Sequence, residues 1–296
     1  MTLAIQSVVQ QELRERLVTV EEAFKADIVT VVSPIEYGLD DAFRDAVESL
    51  SHRRDSLLII LETEGGLIEV AERIAATARH HYPERVEFLI ASHAMSAGTV
   101  LAMSGNTIHM DYYSLLGPID PQVQNEQGRF VPALGYLEQY NRLIEADQAG
   151  TLTPVQAALL LNKFDLGELA AYEHARDLTV TLLENWLSTH KFADWDTHNS
   201  TGEPVTEDEK RHRAKEIATQ LNDTSLWHSH GRGIGMTTLR ERLRLKIEDF
   251  GSNELQTRAV RDYFRVVTEY RQAFVPNDRL VHCRTPREVN DTQGVA

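Results

Sequence analysis

Four short runs dominated by Val, Ile and Leu, at 27–34, 56–63, 86–92 and 106–111, alternate with stretches of helical period, and this alternation constrains the fold more than any other feature of the chain. Short, largely apolar runs of this kind fit strands buried on both faces, as in a parallel sheet covered by helices on each side. Helical patterns at 40–51, 67–81 and 96–103 lie between them. The expected core is therefore an α/β unit with a parallel sheet and right-handed crossover helices. Before it, Leu3, Ile5, Val8, Val9, Leu13 and Leu17 recur at helical spacing and predict an amphipathic N-terminal helix.

Beyond residue 124 strand-like runs give way to helical patterns at 134–146, 153–163, 166–189, 207–222, 237–246 and 254–272. The polar, turn-rich stretch 191–206 reads as a surface loop. The predicted organisation is an N-terminal helix (1–26), an α/β core with a helical extension (27–190), a mostly helical C-terminal region (191–275) and a flexible tail (276–296).

Charge and composition narrow the function. A net charge of −15 disfavours nucleic acid, since neutralising a phosphate backbone needs clustered Lys and Arg. The single cysteine, Cys283, allows no intrachain disulfide and suits a reducing compartment, so a cytoplasmic location is expected. The first residues lack the basic start and apolar run of an export signal, and no later stretch has the roughly 20 apolar residues a membrane span requires.

Three strand-to-helix or strand-to-turn corners carry chemistry. Gly65 and Gly66 follow the second predicted strand, where paired glycines let backbone N–H groups face a cleft. Ser96 follows the third strand among Ala94, Ala97 and Gly98, at the start of an apolar helix whose positive end favours an alkoxide or oxyanion. The segment 112–123, YYSLLGPIDPQV, forms a rigid turn after the fourth strand. Taken singly, a glycine pair is an ordinary tight turn and a serine at a helix start is an ordinary N-cap. Their order and spacing say more. Gly65-Gly66, Ser96-Ala97-Gly98 about thirty residues later, and Leu116-Gly117-Pro118-Ile119-Asp120-Pro121-Gln122 together resemble the ClpP-fold serine peptidases of the ClpP/crotonase superfamily, and more closely the SDH-type, or serine dehydrogenase, proteinases.

The resemblance covers about 27–125, with a thinner echo at 226–235. It implies a serine hydrolase, a peptidase acting on peptide or protein substrates, with Ser96 as nucleophile and the Gly65 and Ala97 amides as the oxyanion hole. It also implies a homo-oligomer, leaves room for an ATPase or regulatory partner, and calls for no cofactor.

The general base is less sharply marked. The histidine that ClpP carries near the turn after the fourth strand is replaced by Tyr112 and Tyr113, and no lysine occurs between Ser96 and Lys163, so a Ser–Lys dyad needs Lys163 or a later lysine such as Lys191. Histidine suits proton shuttling near neutrality. His230, in the family-like segment WHSHGR, is the first candidate and His228 the second. His93 lies three residues before Ser96, and His109 alternates along a strand as a core histidine does. Asp120 is the carboxylate to pair with a base, although it could equally be a turn-former. The GRGIG segment follows no strand and does not read as a dinucleotide loop. Asp194, Asp196, His198 and His190 read as solvated residues rather than a metal site. Two rival readings remain: a crotonase-type acyl-CoA enzyme, and a non-catalytic or conditionally active oligomeric module.

Overall fold

The computed structural model describes residues 2–50, 54–124, 130–198, 201–275 and 279–284. Eleven α-helices and eleven strands are assigned among them, with a π-helical turn at Leu187–Lys191 and a 3-10 turn at Phe250–Ser252. The strands are β1 (Asp27–Val32), β2 (Ser56–Glu62), β3 (Arg85–Leu89), β4 (His93–Ala94), β5 (Thr107–Met110), β6 (Leu115–Leu116), β7 (Gln122–Gln124), β8 (Phe130–Pro132), β9 (Ile234–Gly235), β10 (Glu248–Asp249) and β11 (Leu280–Cys283). The helices are α1 (Thr2–Phe24), α2 (Leu39–Ser49), α3 (Ile68–His81), α4 (Ala97–Ala102), α5 (Ala133–Gln148), α6 (Pro154–Lys163), α7 (Leu166–Trp186), α8 (Glu207–Asn222), α9 (Thr224–Trp227), α10 (Met236–Glu241) and α11 (Glu254–Phe274).

The main sheet has the order β10-β5-β3-β2-β1-β11, parallel except for β11, which runs antiparallel to β1. The predicted α/β core with crossover helices is therefore present. Alternate residues of each strand feed opposite cores, as the two-residue period of a strand requires. Val29, Val31, Leu57, Ile59, Leu61, Val86 and Phe88 face α2, α3 and α4. Ile28, Val32, Leu58, Ile60 and Leu89 face α1 and α11, which pack on each other across the other side. This division explains why the middle of β2, Leu57–Leu61, is apolar without interruption.

Several helix starts follow from local sequence. Thr153 and Thr206 each close a capping box, with Gln156 and Glu209, and Asp165 and Asn253 accept the first amides of α7 and α11. Helices α5, α6 and α7 enclose a small satellite core of Leu134, Leu137 and Leu169 with Tyr136, Tyr140, Phe164 and Tyr172 around it.

Three expectations need correction. The tail predicted from 276 onward contains, at 280–283, an edge strand whose Leu280, Val281 and Cys283 are buried. It is locked by a buried chain in which the Tyr263 hydroxyl lies 2.7 Å from Thr30 Oγ1 and 2.8 Å from His282 Nδ1. A four-residue strand stabilised by a partner more than two hundred residues away has no local periodicity to reveal it. Likewise, the second half contributes β8, β9, β10 and β11, where only helices are expected; β9 and β10 are two residues each, too short for a pattern. Helix α10 stops at Glu241, before the predicted end at 246, and 242–247 runs on toward β10 with Arg244 at φ 47°.

Candidate active site

The carboxyl ends of β2 and β3 deliver the two corners that matter. After β2, Thr63 pairs with Ala94 in a parallel bridge, Thr63 N–H donating to His93 O (3.1 Å) and Met95 N–H to Thr63 O (2.9 Å). Two residues on, Gly65 has φ 101° and Gly66 φ 145°, values an L side chain rarely adopts. Space is equally restrictive. A Cβ on Gly65 would lie 2.8 Å from Met95 O and 2.9 Å from Ser96 Cβ, and one on Gly66 would lie 2.1 Å from Ile35 O. The glycine pair is thus required for the β2 turn to pass directly against Ser96.

Ser96 caps α4 with φ 51° and ψ −118°. For a residue with a Cβ this backbone is strained, at a cost on the order of 1–3 kcal/mol, and such strain persists only where surrounding structure enforces it. Enforcement comes from small residues packed close on each side. Gly98 lies so near Thr63 Cγ2 that a Cβ would meet it at 2.3 Å, and one on Gly117 would meet the Met95 side chain at 2.6 Å. Gly98 N–H donates back to Met95 O (2.8 Å), while Thr99 and Val100 N–H both donate to Ser96 O. The Ala97 N–H and the Ser96 hydroxyl have no hydrogen-bond partner among the described residues, so both are available to an incoming group.

The glycine amides differ. Gly65 N–H donates to the buried Thr63 Oγ1 at 3.0 Å. As an oxyanion donor Gly65 is therefore already engaged in this conformation, which the sequence could not reveal. Gly66 sits between the two bonds of the bridge with Ile35, Ile35 N–H to Gly65 O (2.8 Å) and Leu67 N–H to Ile35 O (2.7 Å), and its own N–H takes no part in that pair.

A second, three-stranded sheet of order β4-β6-β9 ties the remaining pieces to this corner. Strand β4 ends two residues before Ser96, β6 precedes the Gly117-Pro118-Ile119-Asp120 turn, and β9 follows the His230 loop. Thr99 Oγ1 fixes the turn by accepting from Gly117 N–H at 2.8 Å. His230 Nδ1 lies 3.0 Å from Asp120 Oδ1. Asp120 is 1% exposed, and its Oδ2 has no hydrogen-bond partner among the described residues. Binding His230 through Nδ1 leaves Nε2 as the atom that can exchange a proton elsewhere, the arrangement in which a carboxylate orients an imidazole. His230 makes no hydrogen bond to Ser96 Oγ in this conformation.

The other base candidates are placed differently. His93 Nε2 is 3.0 Å from Glu64 Oε1 and its Nδ1 is 3.0 Å from Ser92 Oγ, so both ring nitrogens are engaged away from Ser96. His109 is bonded to Glu87 and stands edge-on to Phe24, a core histidine as its strand position predicts. His228 is exposed, with φ 62°. Lys163 ends α6, and its side chain is outside the described set. Burial lowers Lys191 to about 8, a value useful to a base, yet its ammonium donates to Asn106 O and Lys246 O at the amino end of β5, the opposite edge of the sheet from Ser96. Among the described residues no group of three or more His, Cys, Asp or Glu could hold a metal ion, and no helix is long and apolar enough to cross a membrane.

Comparison with known proteins bears on this corner. Residues 46–158 match the model of the ClpP-like SDH-type serine proteinase family. The matched range includes Gly65, Ser96, Ala97 and Asp120 and excludes His230. Two uncharacterized proteins of Methanocaldococcus jannaschii are 36% identical over 84 residues and 38% identical over 65 residues, covering 28% and 22% of this chain. The chain spans only 27% and 22% of those relatives' own lengths. Two structures of the 1510-N membrane-bound stomatin-specific protease, one a serine-to-alanine variant and one a lysine-to-alanine variant in complex with a substrate peptide, align over 75% of this chain and 77% and 75% of theirs, at 11% identity with TM-scores of 0.45 and 0.44.

Proposed function

We propose, from the premise that residues 46–158 form a ClpP-like SDH-type serine proteinase segment, that the chain is a serine peptidase with Ser96 as its nucleophile. The observation that carries the reading is the strained backbone of Ser96, held against Gly65 with its hydroxyl and the Ala97 N–H both unengaged. In the proposed reaction Ser96 Oγ attacks the peptide carbonyl and its proton passes to His230 Nε2, while Asp120 holds the imidazole through Nδ1 and stabilises its charge. The tetrahedral oxyanion accepts from Ala97 N–H and from the Gly65–Gly66 turn. For Gly65 itself to serve, its N–H must be released from or shared with Thr63 Oγ1; the Gly66 N–H is the neighbouring donor. Protonated His230 then gives its proton to the leaving amine, and water repeats the sequence on the acyl-enzyme.

His230 must approach Ser96 for the transfer to occur. Its loop is bound to the corner through the two-residue β9 and the Asp120 contact, so substrate binding is the natural trigger. Assembly into a cytoplasmic homo-oligomer, with or without an ATPase or regulatory partner, belongs to the same proposal. The test is covalent labelling with a fluorophosphonate probe, read by peptide mapping. Modification of Ser96 in the wild type and none in Ser96→Ala is expected; equal labelling of both, or none, overturns the reading.

A further inference from the structure

Helix α11 lies on the α1 face of the main sheet and sends two arginines to the carboxyl ends of its strands, the end that carries Gly65 and Ser96. Arg261 Nη2 reaches Asp111 Oδ2 (3.0 Å) just beyond β5, and three turns later Arg271 Nη1 reaches Glu62 Oε1 (3.1 Å) at the end of β2. Between these contacts, α11 and the loop after β5 enclose a groove of about 410 Å³. Its floor is apolar, from Ala91, Phe250, Val260 and Phe264, and Ala91 is five residues before Ser96. Its rim carries Tyr112 and Tyr113, 80% and 65% exposed, and the guanidinium groups of Arg261 and Arg265.

The electrostatics of this rim run against those of the whole chain. Against a net charge of −15, α11 presents Arg258, Arg261 and Arg265 on successive turns. Among the described residues, the carboxylates within ion-pair distance of these three are Asp111 and Asp262. Asp262 is shared among three guanidiniums, Arg265 (3.3 Å), Arg258 (3.7 Å) and Arg16 (4.0 Å), of which Arg16 is also paired with Glu12. Arg258, Arg261 and Arg265 thus share two carboxylates within that distance. Asp111 is itself fixed, its Oδ1 accepting from Tyr113 N–H (2.8 Å), Ser114 N–H (3.2 Å) and Ser114 Oγ (3.2 Å). Arg261, held by that carboxylate and lying over the Tyr112 ring at 5.6 Å, is therefore preorganised, and it spends one of its five donors on Asp111. An Arg fork positioned in this way recognises carboxylate.

Spacing selects the shape of the ligand. Arg261 and Arg265 are four residues apart on a helix, about 6 Å along its axis. Alternate side chains on one face of an extended peptide are separated by about 6.6 Å. We propose that this groove recognises extended peptide segments carrying acidic side chains at alternate positions, with Arg261 and Arg265 each taking one carboxylate and the tyrosines flanking the residue between. As a substrate-selecting site it rests on the peptidase reading, but its ligand chemistry does not depend on Ser96.

The full chain carrying Ser96→Ala, titrated with fluorescein-labelled peptides centred on Glu-Phe-Glu or Gln-Phe-Gln and read by anisotropy, tests it without turnover. The acidic peptide is expected to bind at least about tenfold tighter. Adding Arg261→Gln and Arg265→Gln should remove that advantage, so that the two losses do not add. Because Arg261→Gln also disturbs Asp111, Arg265→Glu alone supplies a second check: it should weaken the Glu-Phe-Glu peptide and favour a Lys-Phe-Lys one, with the melting temperature kept. Equal binding of the acidic and amide peptides, or an acidic preference that survives the arginine substitutions, overturns the proposal. The two readings fail separately. Ser96 labelling by fluorophosphonate with no acidic preference sinks only the groove, whereas acidic preference without labelling sinks only the peptidase.

Discussion

The corner that holds Ser96 and the loop that holds His230 are built by different means. The corner is a product of backbone: the β2 turn through Gly65 and Gly66, the strained Ser96, and the small residues Ala97 and Gly98 are placed by adjacent parallel strands and tolerate almost no added atom. The loop is a product of two long-range contacts, the pairing of β9 with β6 and the bond from His230 to Asp120, the latter joining residues 110 positions apart. A nucleophile and its oxyanion donors need fixed geometry before substrate arrives. A base must also move its proton between partners, and a loop fixed at only a few points allows that adjustment.

Substitutions can break this contrast. Ser96→Ala should lower peptide hydrolysis by at least about 10³-fold while leaving the melting temperature within about 2 °C, because it removes one exposed-side hydroxyl and no packing. Next, His230→Ala is expected to cost about 10²- to 10⁴-fold in kcat with less effect on KM. It should also destabilise the fold by about 1–3 kcal/mol in urea melts, since it leaves the buried Asp120 carboxylate without its partner. His228→Ala, in the same loop, should do neither. Gly65→Ala should lower kcat by about 10²- to 10³-fold, the scale of one lost oxyanion contact, by pushing on Met95 O and Ser96 Cβ.

A smaller effect sharpens the comparison through pH. Burial, the leading cause, lowers His282 to about 4, against about 6.5 when unfolded. Between those values the unfolded chain holds a proton that the folded chain does not, so the full contribution is present above pH 6.5 and about 3 kcal/mol is lost as pH falls through 4. Urea midpoints measured from pH 7 to 4 should show this slope, and His282→Gln should flatten it. The smallest expected change is in His93→Gln and His109→Gln, whose ring nitrogens serve Glu64, Ser92 and Glu87; peptide hydrolysis should stay within about threefold of wild type.

The same contrast explains what the amino-acid pattern reveals. The parallel core is legible because each of its longer strands buries both faces, so its composition is nearly uniform. The Gly65 and Ser96 corner is legible because positive φ and close approach restrict which residues fit. Residue type and neighbourhood single out His230 and Asp120, while their hydrogen bond depends on strand pairing that no local window contains. Strand β11 and the engagement of Gly65 N–H by Thr63 Oγ1 leave no sequence signal: the first is a long-range edge pairing, the second a choice of one amide between two acceptors.

The most direct test of the account is a crystal structure of the wild-type protein after reaction with a peptidyl phosphonate. A covalent bond to Ser96 Oγ is predicted, with the phosphoryl oxygen about 3 Å from Ala97 N–H and a second amide of the Gly65–Gly66 turn, and with His230 drawn toward the ester oxygen. An adduct on another residue, or a phosphoryl oxygen turned away from the Ala97 amide, would contradict it.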